Sequence, residues 1–144
     1  MRFLKAFLAT SYSLALCYLV FFARRRRHLD ERLLNVVPIK STILSYYAID
    51  ANSLKDYINF YSNLAGNIIL FIPIPFILTY STSITSHRRL VLVTTGLSFF
   101  IEATQYLFKI GVADIDDIIL NTIGALIGAM LMKALQKRYY TSTR

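Results

Sequence analysis

Acidic side chains are scarce in this sequence: eight Asp and Glu among 144 residues, against 16 Lys and Arg, for a net charge of +8. Charge of either sign is thin, at 17% of residues, where a soluble domain carries about 25%. The one cysteine, Cys17, has no partner within the chain, which excludes a disulfide-stapled fold. The stretches outside the apolar blocks are too short for a separate soluble domain of the usual size. No zinc-ligand spacing, P-loop, serine triad or dinucleotide fingerprint is found, nor any internal repeat or low-complexity linker. Disorder and a cytosolic enzyme are disfavoured on the same grounds. What is plentiful is apolar. Hydrophobic residues make up 56% of the chain and the mean hydropathy is +0.50. They gather in blocks of roughly 18–20 residues, the length that crosses a hydrocarbon core about 30 Å thick. The expectation is an all-α polytopic membrane protein, a single domain over residues 1–144.

Four spans are predicted, at about 6–23, 64–80, 90–108 and 118–135. The first has the basic start and apolar middle of a signal peptide. Its apolar run is long for one, however, and Arg24–Arg27 stand where a small-residue cleavage site belongs. A retained span is therefore expected, with the arginines as a juxtamembrane anchor drawn to anionic lipid. Between the first and second spans, Ile43–Ile49 with Tyr46 and Tyr47 reads as a short interfacial segment, since tyrosine rings favour the headgroup level. Ser53-x-x-Asp56 approximates a capping box that would start a helix leading into the second span. Pro73 and Pro75 should kink that helix. Lys and Arg divide eight to eight between the two sides of a four-span arrangement. The positive-inside rule therefore selects neither orientation.

The informative residues are those that a lipid-facing helix would not choose. Asp56, Asn59, Asn63 and Asn67 fall on an arc of about 80° at 100° per residue. Thr95, Ser98, Glu102, Gln105 and Lys109 form a second stripe, and Asp117, Asn121, Gly124 and Gly128 a third. Polar side chains in spans face protein or water, so the stripes should face one another. Alternating helix directions bring Asn67, Glu102 and Asn121 near one membrane face, roughly 5–10 Å inside the boundary. The expected object is a shallow polar pocket of Arg32, Asn67, Glu102, Gln105, Asp114, Asp116, Asp117 and Asn121, with Lys40 in the covering loop. Each part also has a plainer reading. Gly124-x-x-x-Gly128 suits close helix packing more than chemistry, the asparagines suit interhelical hydrogen bonds, and the aspartates suit a helix N-terminus. Glu102 is the hardest to explain so simply. An ionisable group at that depth costs about 2.5 kcal/mol or more, and needs a partner, a proton or a task.

These residues carry a resemblance to the VanZ-like family of bacterial membrane proteins, over roughly residues 31–132. The segments that resemble it are Arg32-Leu-Leu-Asn35-Val-Val-Pro38-Ile-Lys40, Gly66-Asn67-Ile-Ile-Leu-Phe71-Ile-Pro73, Ser98-Phe-Phe-Ile-Glu102-Ala-Thr-Gln105 and Asp114-Ile-Asp116-Asp117-Ile-Ile-Leu-Asn121-Thr-Ile-Gly124-Ala-Leu-Ile-Gly128. Four segments in order make the signal specific. Ile39, Pro75 and Ala113 depart from the family's usual aromatic, glycine and bulky residues, which touches local geometry more than the polar set. The resemblance implies the bacterial cytoplasmic membrane, both termini inside and the motif face outward. It also implies an association with low-level resistance to teicoplanin-type glycopeptides.

Two functions of different class follow. One is a non-enzymatic envelope protein whose pocket binds a lipid headgroup or cell-wall precursor. The other is a membrane enzyme acting on a lipid-linked or phosphorylated envelope substrate. There Glu102, Asp114, Asp116 and Asp117 would offer hard oxygens to a divalent cation, or Glu102 would act as a general acid or base, with Arg32 and Lys40 holding a phosphate. Against the second, no nucleophile is evident and no cofactor is required. A transporter is weaker still, because polar groups confined to one end make no continuous path unless a homo-oligomer supplies the rest. The bilayer is the expected partner, and nucleic acid is not.

Overall fold

The computed structural model describes residues 2–23, 30–82 and 84–142. Arg24–Arg27, the expected juxtamembrane anchor, lie outside the described residues. Helix α1 (Arg2–Tyr18) runs into a π-helical turn over Leu19–Ala23, and together they cover the first predicted span. Next come a two-residue strand β1 (Leu34–Asn35), a short helix α2 (Lys40–Tyr47), α3 (Leu54–Phe71), α4 (Ile74–Ser81) and α5 (His87–Phe108). A second two-residue strand β2 (Ala113–Asp114) then leads into α6 (Ile115–Ser142). Among the described residues, three stretches are long and apolar enough to cross a membrane, Leu54–Ser81, His87–Phe108 and Ile115–Lys137. The apolar part of the first helix, Ala6–Phe21, is shorter.

Local chemistry sets these boundaries. Ser53 caps α3, its hydroxyl accepting the Asp56 N–H at 3.2 Å. Pro73 and Pro75 lack the N–H groups that would continue the helical ladder, and the helix breaks at Ile72–Pro73 into α3 and α4. Lys109, in the left-handed region at φ 56°, ends α5 and returns its N–H to the carbonyls of Gln105 and Tyr106. The segment expected at the interface, Ile43–Ile49, falls largely within the short helix α2, whose Tyr46 ring is set edge-on to Phe60 of α3 at 5.7 Å. The two strands pair in parallel, Leu34 beside Ala113 and Asn35 beside Asp114. The chain is mostly helical, as the all-α expectation has it; this pair is too short for an alternating pattern to register in the sequence.

Helix α6 is the axis of the fold, packed against α5, α3 and α4, with α2 laid across its N-terminal end. A Cβ built on Gly124 or Gly128 would collide with the backbone carbonyl of Ile68 or Ile72. These two glycines let α6 and α3 approach backbone to backbone, the packing role that their spacing suggests. Helix α1 is held more lightly. Leu16 joins Phe71, Ile74 and Ile101 in a small apolar cluster, and the Tyr12 hydroxyl donates to the Leu70 carbonyl. The interior is inverted relative to a soluble protein. Among the described residues, seven polar or charged ones are buried against nine hydrophobic ones, while Phe99, Phe100, Leu107, Phe108 and Met130 face outward. Soluble proteins bury their large apolar side chains; here the apolar surface is what lipid would cover.

Candidate functional site

The segment Asp114–Asp117 stands where β2 turns into α6, and each of its three carboxyls has its own task. Asp114 caps α6 by accepting the Asp116 N–H at 2.9 Å, and it also accepts from Asn35 Nδ2 at 2.9 Å. Its backbone N–H donates to Glu102 Oε2 at 3.0 Å, fastening the end of α5 to the start of α6. Asp116, almost fully buried, caps a different helix. It accepts from the Ser41 hydroxyl at 2.7 Å, the Thr42 N–H at 3.0 Å, the Thr42 hydroxyl at 2.9 Å and the Ile39 N–H. The N-terminus of α2 thus receives its cap from α6 rather than from its own chain neighbours. Its N-cap residue, Ile39, sits at φ 65° with no side-chain capping bond. A β-branched residue there costs about 1–3 kcal/mol and persists only when its surroundings enforce it. Asp116 does the enforcing. Asp117 accepts from Asn67 Nδ2, tying α6 to α3.

Deeper in the core, Asn121 Nδ2 donates to Ser98 Oγ at 2.8 Å, and Thr95 and Thr122 share a hydroxyl bond at 3.0 Å. Ser98, Glu102 and Gln105 are all buried, so the stripe on α5 faces inward as its spacing requires. On α3 only Asn67 is buried; Asp56 is half-buried, and Asn59 and Asn63 are exposed. The reason is position. The close approach to α6 is made at Ile68 and Ile72, beyond the first turns of α3.

The polar groups enclose two spaces rather than one. The outer cavity, of about 250 Å³, lies between α2, α3 and the start of α6. Asp114, Asp116 and Asp117 line it together with Ser41, Thr42 and Asn63. No Lys, Arg or His lines it among the described residues. The inner void is about 30 Å³ and is bounded by Asn67, Glu102, Gln105, Asp117 and Asn121 on one side and by apolar residues on the other. Leu19 and Val20 of the π-helical turn are part of that apolar wall. Single π-helical turns occur frequently at functional sites. Asp117 lines both spaces.

Family comparison places this geometry. A model of the VanZ/LLP1 family matches residues 9–136. The chain belongs to the VanZ-like family. The match extends beyond the motif region at 31–132 and takes in most of α1, the helix whose continuation closes the inner void. Among curated proteins and among solved structures, nothing matches.

Of the residues singled out in this VanZ-like sequence, the structure brings Asn67, Glu102, Gln105, Asp117 and Asn121 around the inner void, and Asp114, Asp116 and Asp117 around the outer cavity. Arg32 is placed elsewhere. It is exposed, with its guanidinium 5.9 Å from the centre of the Tyr106 ring. Neither Arg32 nor Lys40 lines either space. Among the described residues, no three of His, Cys, Asp and Glu come together as metal ligands. Sequence reasoning left out Asn35, Ser41, Thr42 and Ser98 as site residues, although all four hold the carboxyl and amide groups in place. One signal for Ser41 and Thr42 was available. A helix that begins at Lys40 with Pro38 and Ile39 before it has no local side chain able to cap it.

Proposed function

We propose that this VanZ-like protein is a multi-pass protein of the bacterial cytoplasmic membrane. Its outer cavity binds a lipid headgroup or a cell-wall precursor, and so modulates susceptibility to teicoplanin-type glycopeptides. The observation that carries this reading is the cavity itself. It is about 250 Å³, lined by three aspartates, three hydroxyl residues and Asn63, at one end of helices able to cross a membrane. Such a lining offers acceptors. The α2 N-terminus, which would otherwise attract an anion, is already occupied by the Asp116 carboxyl. The cavity therefore suits a ligand presenting ammonium, hydroxyl or amide N–H groups rather than bare phosphate. The carboxyls also serve as helix caps and interhelical ties, which favours binding over acid–base chemistry at these groups.

Expression in a susceptible host tests the reading, with surface binding of a fluorescent glycopeptide and susceptibility measured together. Both should change with the native protein and return to the control level with Asn63→Trp, which fills the cavity from an exposed position on α3. Unchanged binding and unchanged susceptibility on expression of the native protein would refute it.

A further inference from the structure

The two ends of the α5–α6 pair differ in charge. All eight Asp and Glu fall within residues 30–56, at 102 and within 114–117. Those positions lie before α3 or in its first turn, near the end of α5, and where β2 joins α6. Neither residues 57–101 nor residues 118–144 include a carboxyl side chain. The start of α5 and the last part of α6 belong to those two stretches, and between them runs an open groove of about 720 Å³. Arg88 and Lys133, both exposed, line it, and no Asp or Glu does among the described residues. Leu92, Leu126, Ala129 and Met130 supply apolar walls.

Depth divides the groove. Arg88 is in the first turn of α5, and Lys133 is near the end of the apolar stretch Ile115–Lys137. From Lys133 back to Leu126, α6 advances about 10 Å at 1.5 Å per residue. The groove is thus cationic at the level of a bilayer surface and apolar at the level of acyl chains. An occupant that uses all of it has the same two-part build. Free phosphate would use only the cationic mouth, and an uncharged apolar molecule only the walls. A zwitterionic phospholipid sets an ammonium group beside two cationic side chains. An anionic phospholipid offers Arg88 and Lys133 a phosphate without that ammonium. Its acyl chain would cover Leu92 and Met130, which are 70% and 66% exposed.

We propose that the groove between the start of α5 and the last part of α6 binds one anionic phospholipid, its phosphate held by Arg88 and Lys133 and an acyl chain laid against Leu92, Leu126 and Met130. The site lies at the opposite end of α5 and α6 from the outer cavity and shares no residue with it. The lipid adds a polar tie between two helices at the end where small residues such as Ala125 and Ala129 pack them.

The test uses the full chain, purified in a neutral detergent and titrated with phosphatidylglycerol or with phosphatidylcholine of the same acyl chains. Lipids retained per chain are counted by native mass spectrometry. The expected result is one phosphatidylglycerol per chain, bound about tenfold or more tightly than phosphatidylcholine. Arg88→Gln with Lys133→Gln should abolish that preference. Lys40→Gln with Lys55→Gln removes the same charge from exposed positions at the other end and should leave the preference intact. Both double variants should stay folded by circular dichroism, since all four side chains are exposed. An excess of glycerol 3-phosphate, which has the phosphate but no acyl chain, should not displace the lipid. The proposal is overturned if the native protein retains the two lipids equally, or if the Arg88–Lys133 variant keeps the preference. It is also overturned if both double variants lose it alike, the pattern of diffuse attraction to a basic protein, or if glycerol 3-phosphate competes. Glycopeptide binding at the cell surface reports separately on the outer cavity, so the two readings can fail independently.

Discussion

The two halves of the α5–α6 pair use polar side chains in opposite ways. Near the start of α6, polar groups bond across elements: Asp116 to α2, Asp114 to Asn35, Asn67 to Asp117, and Asn121 to Ser98. Towards the start of α5 and along α4, most hydroxyls bond to their own helix, Thr95 with Thr122 of α6 being the exception. Thr94 donates to the Leu90 carbonyl at 2.8 Å and Thr82 to Leu78 at 2.7 Å. Thr79 reaches the Pro75 carbonyl at 2.9 Å, with a second, weak contact to the Met132 sulfur of α6 at 3.1 Å. Helix contact in that half comes from Gly128, Ala125, Ala129 and Met132. A hydroxyl satisfied within its own turn makes no demand on a neighbour, and small residues set only how closely two helices approach. A carboxyl or amide bonded across helices fixes which helix lies where. Only the first half therefore builds its site from carboxyls and amides bonded across helices.

The largest effect should come from breaking the packing half. Gly124→Val or Gly128→Val drives a side chain into a backbone carbonyl of α3, which cannot swing aside as a flexible side chain would. A loss on the order of 3 kcal/mol is expected, measured by unfolding in detergent. Gly66→Ala is the control: nothing lies within 4 Å of its added Cβ, and helix propensity favours Ala by roughly 0.5–1 kcal/mol. An equal loss at Gly66 would show that the glycines matter for reasons other than contact. Second in size is Asp116→Ala, which leaves four donors around α2 without their acceptor. A cost of about 2 kcal/mol is expected. Hydrogen exchange should quicken in α2 while α5 near Thr94 stays protected. Uniform loss of protection would mean that the two halves are one cooperative unit. Third, Asn35→Ala removes one bond to a half-buried carboxyl and should cost about 1 kcal/mol, with exchange quickening at the β1–β2 pair.

Much of this division can be read from spacing, and what cannot is the identity of partners. Ser98, Glu102 and Gln105 share a face by their spacing of four and three, and all three are buried. The Ser53 cap and the break before Pro73 follow equally from local chemistry. The attachment of Asp116 to Thr42 does not, because the two are 74 residues apart and periodicity names a face rather than its occupant. Arg32 shows the same limit. It is expected at the pocket, yet its guanidinium lies over Tyr106, as an aromatic face can hold a cation. The strained backbone at Ile39 has no sequence signature, since its residue type disfavours the conformation it adopts.

The smallest effect is the sharpest test, because Ser98 and Thr94 are a matched pair. They lie one helical turn apart on α5, both are 0% exposed, and both are hydroxyl residues. Thr94→Val keeps the shape and removes a bond to Leu90, whose carbonyl still has its place in the helical ladder. The expected change is less than about 0.5 kcal/mol. Ser98→Ala removes the acceptor for Asn121 Nδ2 and leaves a buried amide donor without it, for an expected cost of about 1 kcal/mol. A double-mutant cycle of Ser98→Ala with Asn121→Ala should then show coupling, while Thr94→Val with Asn121→Ala should be additive. Equal costs at the two positions would mean that burial alone, rather than bonding between helices, sets the worth of a polar group here, and the contrast between the halves would disappear.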